Sequence, residues 1–212
     1  MGLVQALFEA AMYSFVLEWT PSLSYNNDSD MLNEQENTPY GIIFACFMLC
    51  ITIGSWTYKK VTDINENCLL QNNTNNSNNN NLKSRENEAN FLDESDPTTI
   101  QINKLLFKIL IISSVSLLTP VFTESKISRF LSFCLFEINI GIFWPCLATL
   151  RSKYIPEDVR ATLMNIFRIP LNFLVIIMLL PEFDLKVVFG GASLLTGIAA
   201  ALQYKFMNYM YI

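Results

Sequence analysis

Residues 159–180, VRATLMNIFRIPLNFLVIIMLL, are long and apolar enough to cross a bilayer as a helix, yet Arg168 sits near the middle. A charge at that depth is costly unless it faces protein or water, so Arg168 needs a partner or a task, and the reading is a transport path. Asn165 and Asn172, three residues before it and four after, fall on the same helix face. The helix is expected to carry a polar stripe on an apolar body.

Working outward, six segments have spanning length: 2–23, 39–58, 104–122, 127–150, 156–180 and 185–207. The chain is 51% hydrophobic and 16% charged, against about 25% charged in soluble domains. Much of that charge lies between the spans, so the net charge of −5 says little about partners. No basic cluster supports a nucleic-acid partner. With no histidine, and with Cys46, Cys50, Cys68, Cys134 and Cys146 in no CxxC pattern, neither a metal centre nor another cofactor is expected. Cys46 and Cys50 share a helix face and read as packing residues. No nucleophile and base pair or phosphate loop appears, so the chain does not read as an enzyme.

The expected organisation is three-part. Residues 1–58 hold the first two transmembrane helices with an acidic outer loop; 59–103 form a disordered, Asn-rich cytoplasmic insert; and 104–212 hold the remaining four helices. Thr38 with Pro39, and Pro156 with Glu157 and Asp158, mark helix starts. The short loops 123–126 and 181–184 imply tight antiparallel hairpins. Lys59, Lys60, Lys104, Arg151, Lys153, Arg160 and Lys205 gather on one side, leaving Lys126, Arg129 and Lys186 on the other with Asp28, Asp30, Glu34 and Glu36. The positive-inside rule then places both termini in the cytoplasm. Glu9 interrupts the first apolar run and no basic region precedes it, so that segment reads as a retained span and not a signal peptide.

Polar residues inside the spans are the candidates for chemistry. Gln5, Glu9 and Tyr13 repeat every four residues and make a second stripe. Glu137 lies deep in the fourth span, near Asn139 and Gly141, where a backbone can approach closely. A carboxylate there either takes up a proton or pairs with a cation, and Arg168 is the expected partner. Lys108 reads as a snorkelling residue. The third and sixth spans, with Ser113, Ser114 and Ser116 and with Gly190, Gly191, Ser193 and Gly197, read as closely packed scaffold. Pro120, Pro145 and Pro170 are candidate bends.

The run Gly2-Leu3-Val4-Gln5-Ala6-Leu7-Phe8-Glu9, continuing through Met12-Tyr13 to Trp19-Thr20-Pro21, resembles the seventh helix of the molybdate-anion transporter group of the major facilitator superfamily. Pro39-Tyr40-Gly41-Ile42-Ile43-Phe44 is similar to the start of the eighth. Glu137, Gly141, Pro145, Leu150-Arg151, Ile155-Pro156-Glu157 and Asn165-Ile166-Phe167-Arg168-Ile169-Pro170-Leu171 resemble the tenth and eleventh helices and their loop. The resemblance implies an all-α, six-helix C-terminal half of a carrier in the lipid bilayer, the plasma membrane being preferred to an internal one. It implies a small oxyanion substrate, molybdate, and a partner in the N-terminal six-helix half, which is expected to be missing here, the chain being a fragment. Arg168, Asn165, Asn172, Gln5 and Tyr13 are then the substrate-binding candidates, and Glu9 and Glu137 the proton-coupling or ion-pair candidates. The insert departs from the short basic loop of the family, of which only Gly54 and Lys59-Lys60 match. The alternatives are a carrier of an organic solute and a non-transporting membrane scaffold.

Overall fold

Two prolines set two helix starts. The Pro39 carbonyl accepts hydrogen bonds from the Ile42 and Ile43 N–H groups at 2.9 and 3.1 Å, and α2 (Tyr40–Asn76) begins at the next residue. Directly after Pro156, α5 (Glu157–Leu179) opens with Glu157 and Asp158 in its first turn, where carboxylates complement the helix dipole. The computed structural model describes residues 1–24, 39–76, 97–179 and 184–210, with side chains except at 65–76, 174, 178–179 and 210. Its other helices are α1 (Gly2–Ser24), α3 (Pro97–Phe122), α4 (Lys126–Tyr154) and α6 (Leu185–Met210), and no strand occurs among the described residues. The chain is an all-α membrane protein.

Two boundaries differ from those read in the sequence. Helix α2 runs past residue 58 to Asn76, and α3 starts at Pro97 instead of 104, so both ends of the 59–103 insert are helical. No glycine or proline occurs between Gly54 and Pro97, and a helix already nucleated in the apolar segment extends at one hydrogen bond per added residue. Residues 77–96 of the insert and the acidic loop at 25–38 lie outside the described residues.

Among the described residues, five helices are long and apolar enough to cross a membrane: Tyr40–Ile64, Pro97–Phe122, Lys126–Tyr154, Glu157–Ile177 and Leu185–Tyr209. Against the expectation of six, α1 is not among them. Its 23 residues span about 34 Å, which suffices, but Gln5, Glu9 and Glu18 lower its hydropathy. Gln5 and Glu9 face protein instead and are buried, while Glu18, near the outer end, is half-buried.

Packed neighbours run α2, α4, α3, α6, α1, α5, and α1 also meets α4. Phenylalanines fill the centre. Phe8 stacks on Phe143 with ring centroids 3.9 Å apart, and Phe15 meets Phe133 and Phe136 edge-on at 5.1 Å each. The α2–α4 seam is parallel: Phe47 stacks on Phe130, and the Tyr58 and Thr149 hydroxyls lie 2.8 Å apart. Between those rungs the backbones touch. A Cβ added to Gly54 would overlap the Ile138 carbonyl oxygen and lie 3.0 Å from the Gly141 Cα, while one on Gly141 would overlap the Ile51 oxygen. The Ser55 hydroxyl donates to the Gly141 carbonyl at 3.0 Å.

The scaffold helices use small residues as expected. Ser114 and Ser193 donate reciprocally to each other's backbone carbonyls, at 2.9 and 2.7 Å, which closes α3 on α6. At the end carrying the N-terminus, buried Asn103 accepts from Gln203 at 3.0 Å and donates to the Tyr154 hydroxyl at 3.2 Å, tying α3, α6 and α4 together. At the other end Arg129 is buried, not exposed as its outer position suggested. Its guanidinium donates to the Thr123 and Ser22 carbonyls at 2.9 and 3.0 Å, capping the C-terminal ends of α3 and α1, where a cation is favoured. Pro21, Pro120, Pro145 and Pro170 all lie within continuous helices.

Candidate functional site

Helix α5 packs on α1, and α1 meets α4, but α4 and α5 are not a packed pair. A cleft therefore opens between α4 and α5 with α1 beneath it. The stripe Gln5, Glu9 and Tyr13 lines it from α1, Trp144 and Arg151 from α4, and Met164, Arg168, Leu171 and Asn172 from α5; its volume is about 480 Å³. Each set follows helical spacing: every four residues on α1, two turns apart on α4, and one face of α5. The Phe8–Phe143 stack holds α1 against α4 beside Trp144, whose ring meets Phe143 edge-on.

The polar residues are ordered to different degrees. Gln5 and Glu9 are 6% and 9% exposed, and the Gln5 amide donates to the Glu9 carboxylate one turn on. The other amide atom, Gln5 Oε1, is buried without a partner. Glu9 also lies close enough to Arg151 for their charges to interact. Arg151 sends one guanidinium N–H to the Met164 sulfur at 3.3 Å, a weak acceptor that leaves most of its donor capacity unused. Arg168 and Asn172 are exposed in the groove, and Arg168 has no hydrogen bond or ion pair with the described residues.

Of the candidates read from the sequence, the fold brings together Gln5, Glu9, Tyr13, Arg168 and Asn172. Asn165 is exposed and does not line the groove, because the lining arc of α5 runs from Leu171 to Asn172 through Arg168 and Asn165 falls just beyond its edge. Glu137 is buried in α4 and also stands outside the groove, and the ion pair expected with Arg168 is not formed. The cause is depth. The Arg151–Met164 contact sets those residues level, and at about 1.5 Å per residue Arg168 lies ~6 Å further along α5 while Glu137 lies ~21 Å further along α4. Some 15 Å separates their levels. Conversely, Arg151 joins the site although the sequence reading used it only to orient the chain. Its seven-residue spacing from Trp144, which puts both on one face, was the available signal.

Residues 1–70 match the profile of a family described as sugar transporters, 12 TM. The chain is 28% identical over 174 residues to a Xenopus tropicalis protein named molybdate-anion transporter, covering 82% of this chain and 30% of that protein. Relatives of the same name from Xenopus laevis and Danio rerio are 27% identical over 174 residues and 25% identical over 179 residues, with 82% of this chain covered in each case.

The chain is similar to membrane transporters, and over most of its length to proteins named molybdate-anion transporter.

The chain spans only about 30% of the length of the first of those relatives, and 30% and 28% of the other two. No solved structure matches it.

Proposed function

We propose that this chain forms a six-helix half of a major facilitator carrier that moves a small inorganic oxyanion, molybdate, across a membrane, with the α1–α4–α5 groove as its share of the substrate path. The observation that carries this reading is the convergence of two guanidinium groups, Arg151 and Arg168, from two helices on one groove. A tetrahedral dianion is held best by planar forks of N–H donors, which form paired hydrogen bonds to two oxygens. Asn172 and Tyr13 add neutral donors on the opposite walls. Moving a dianion against an inside-negative potential costs roughly 2.3 kcal/mol per charge per 100 mV, so uptake needs a compensating cation. Glu9 is the proton carrier in this scheme: charged, it neutralises Arg151, and protonated, it releases that arginine to the anion.

The test is uptake by proteoliposomes carrying this chain joined to an N-terminal six-helix half. Molybdate uptake inhibited by tungstate and sulfate, and unaffected by hexoses, is expected. The second reading, a sugar carrier, is favoured by the description of the matching family and by Trp144 and Tyr13 in the groove, since aromatic faces and neutral amides suit a polyol. Hexose uptake without molybdate uptake would establish it. No uptake of either would favour the scaffold reading.

Membrane sidedness belongs to the same proposal. Both termini and the Asn-rich segment face the cytoplasm, on the strength of the basic-residue asymmetry. Asn72-Asn73-Thr74 and Asn75-Asn76-Ser77 have the form of glycosylation acceptors and are expected to stay unmodified in a glycosylating host. Sugar at Asn72 or Asn75, detected by a glycosidase-sensitive mass shift, would reverse the topology.

A further inference from the structure

The α2–α4 seam carries chemistry that transport does not use. Cys46 and Cys50 lie on one face of α2, one turn apart, and Cys134 lies on α4, one turn before Ile138. The parallel register places Cys50 opposite Cys134, on the rung between the Phe47–Phe130 stack and the Gly54–Gly141 crossing. Cys50 is near enough to influence the Cys134 thiol, as are Cys46 and Glu137. All three thiols are free and partly exposed, unlike Cys146, which is buried and donates to the Ile102 carbonyl at 3.8 Å.

We propose that Cys50 and Cys134 form a dithiol site that small disulfide oxidants convert to a covalent α2–α4 bridge. A disulfide needs Cα atoms about 4.4–6.8 Å apart, a separation that two helices reach only where their backbones come into contact. That contact is present one turn away on both helices, where Gly54 lies against the Ile138 carbonyl. The reaction proceeds by exchange. One cysteine, as thiolate, attacks a sulfur of the oxidant, forming a mixed disulfide and releasing one thiol; the facing cysteine then attacks the protein sulfur of that bond and releases the second. Two protein thiols lose two electrons, the oxidant's S–S bond is reduced, and the two protons leave on the two released thiols. The second step is intramolecular between facing groups, so the mixed disulfide does not accumulate.

The experiment treats the full chain, in detergent and carrying Cys68→Ser, with dithiodipyridine, a membrane-permeant disulfide whose released thiopyridone is followed by absorbance. Peptide mapping is expected to find Cys50 joined to Cys134, with no pyridyl group retained on either. Cys50→Ser and Cys134→Ser should each keep a stable pyridyl adduct on the remaining cysteine, at least ten times longer-lived than in the parent, by the intramolecular advantage. Cys46→Ser should leave the bridge intact. Stable pyridyl adducts on both Cys50 and Cys134 in the parent would overturn the proposal, as would a bridge from Cys134 to Cys46. The parent mapping decides the question even if a serine variant fails to fold.

Discussion

Gly141→Ala is expected to destabilise the bundle by on the order of 3 kcal/mol, and Gly54→Ala by a similar amount, because each added methyl meets a backbone carbonyl and not a side chain that can swing aside. To admit it, α2 and α4 must separate along a seam that also holds the Phe47–Phe130 stack, the Ser55–Gly141 bond and the Tyr58–Thr149 bond. The contrast lies within the same molecule. At Gly41 and Gly190 a Cβ would meet nothing within 4 Å, so Gly41→Ala and Gly190→Ala should be neutral or stabilising by about 0.5–1 kcal/mol through helix propensity. Thermal unfolding midpoints in one detergent check all four. Equal midpoints for Gly141→Ala and Gly190→Ala would show that the helices are not in backbone contact.

Arg168→Lys is expected to lower oxyanion uptake about 10- to 100-fold, the equivalent of one or two charge-assisted hydrogen bonds. A guanidinium offers two parallel N–H groups to an oxyanion, whereas an ammonium is a point charge on a flexible stem. Arg168 makes no hydrogen bond or ion pair with the described residues, so the thermal midpoint should stay within experimental error while uptake falls. Arg151→Lys should lower uptake comparably, and the double substitution should fall short of the product of the two, since both groups hold one anion. The readout is initial uptake rate divided by the amount of carrier in the membrane. Wild-type uptake by Arg168→Lys would return it to a packing role and move the substrate site to Gln5 and Glu9.

Much of the groove was legible before the fold. Gln5, Glu9 and Tyr13 announce a polar face because four-residue spacing is stacked spacing on any helix, and Arg168 with Asn172 does the same on α5. Asn165 belonged to the same reading and falls outside, since residues three apart diverge by about 60° and a narrow groove accepts only part of that arc. Arg151 was passed over as a lining residue for a related reason: a charge near a helix end has the same sequence signature whether it meets headgroups or turns along the helix into a cleft.

Local chemistry determined that the chain is helical and membrane-embedded, and which face of each helix is polar, because apolar length and helical period are properties of a segment by itself. Tertiary structure alone decided which polar faces meet, and at what depth. Glu137 and Arg168 looked level when both were counted as mid-span, yet the Arg151–Met164 contact sets them some 15 Å apart along the bundle. The sequence placed Arg129 on the outer side, and the fold alone set it against the carbonyl ends of α1 and α3. Sliding or turning one helix against its neighbour leaves every local pattern unchanged. The register is chosen instead by where backbones can touch, at Gly54 and Gly141, and by how the central phenylalanines fill the space between α1 and α4.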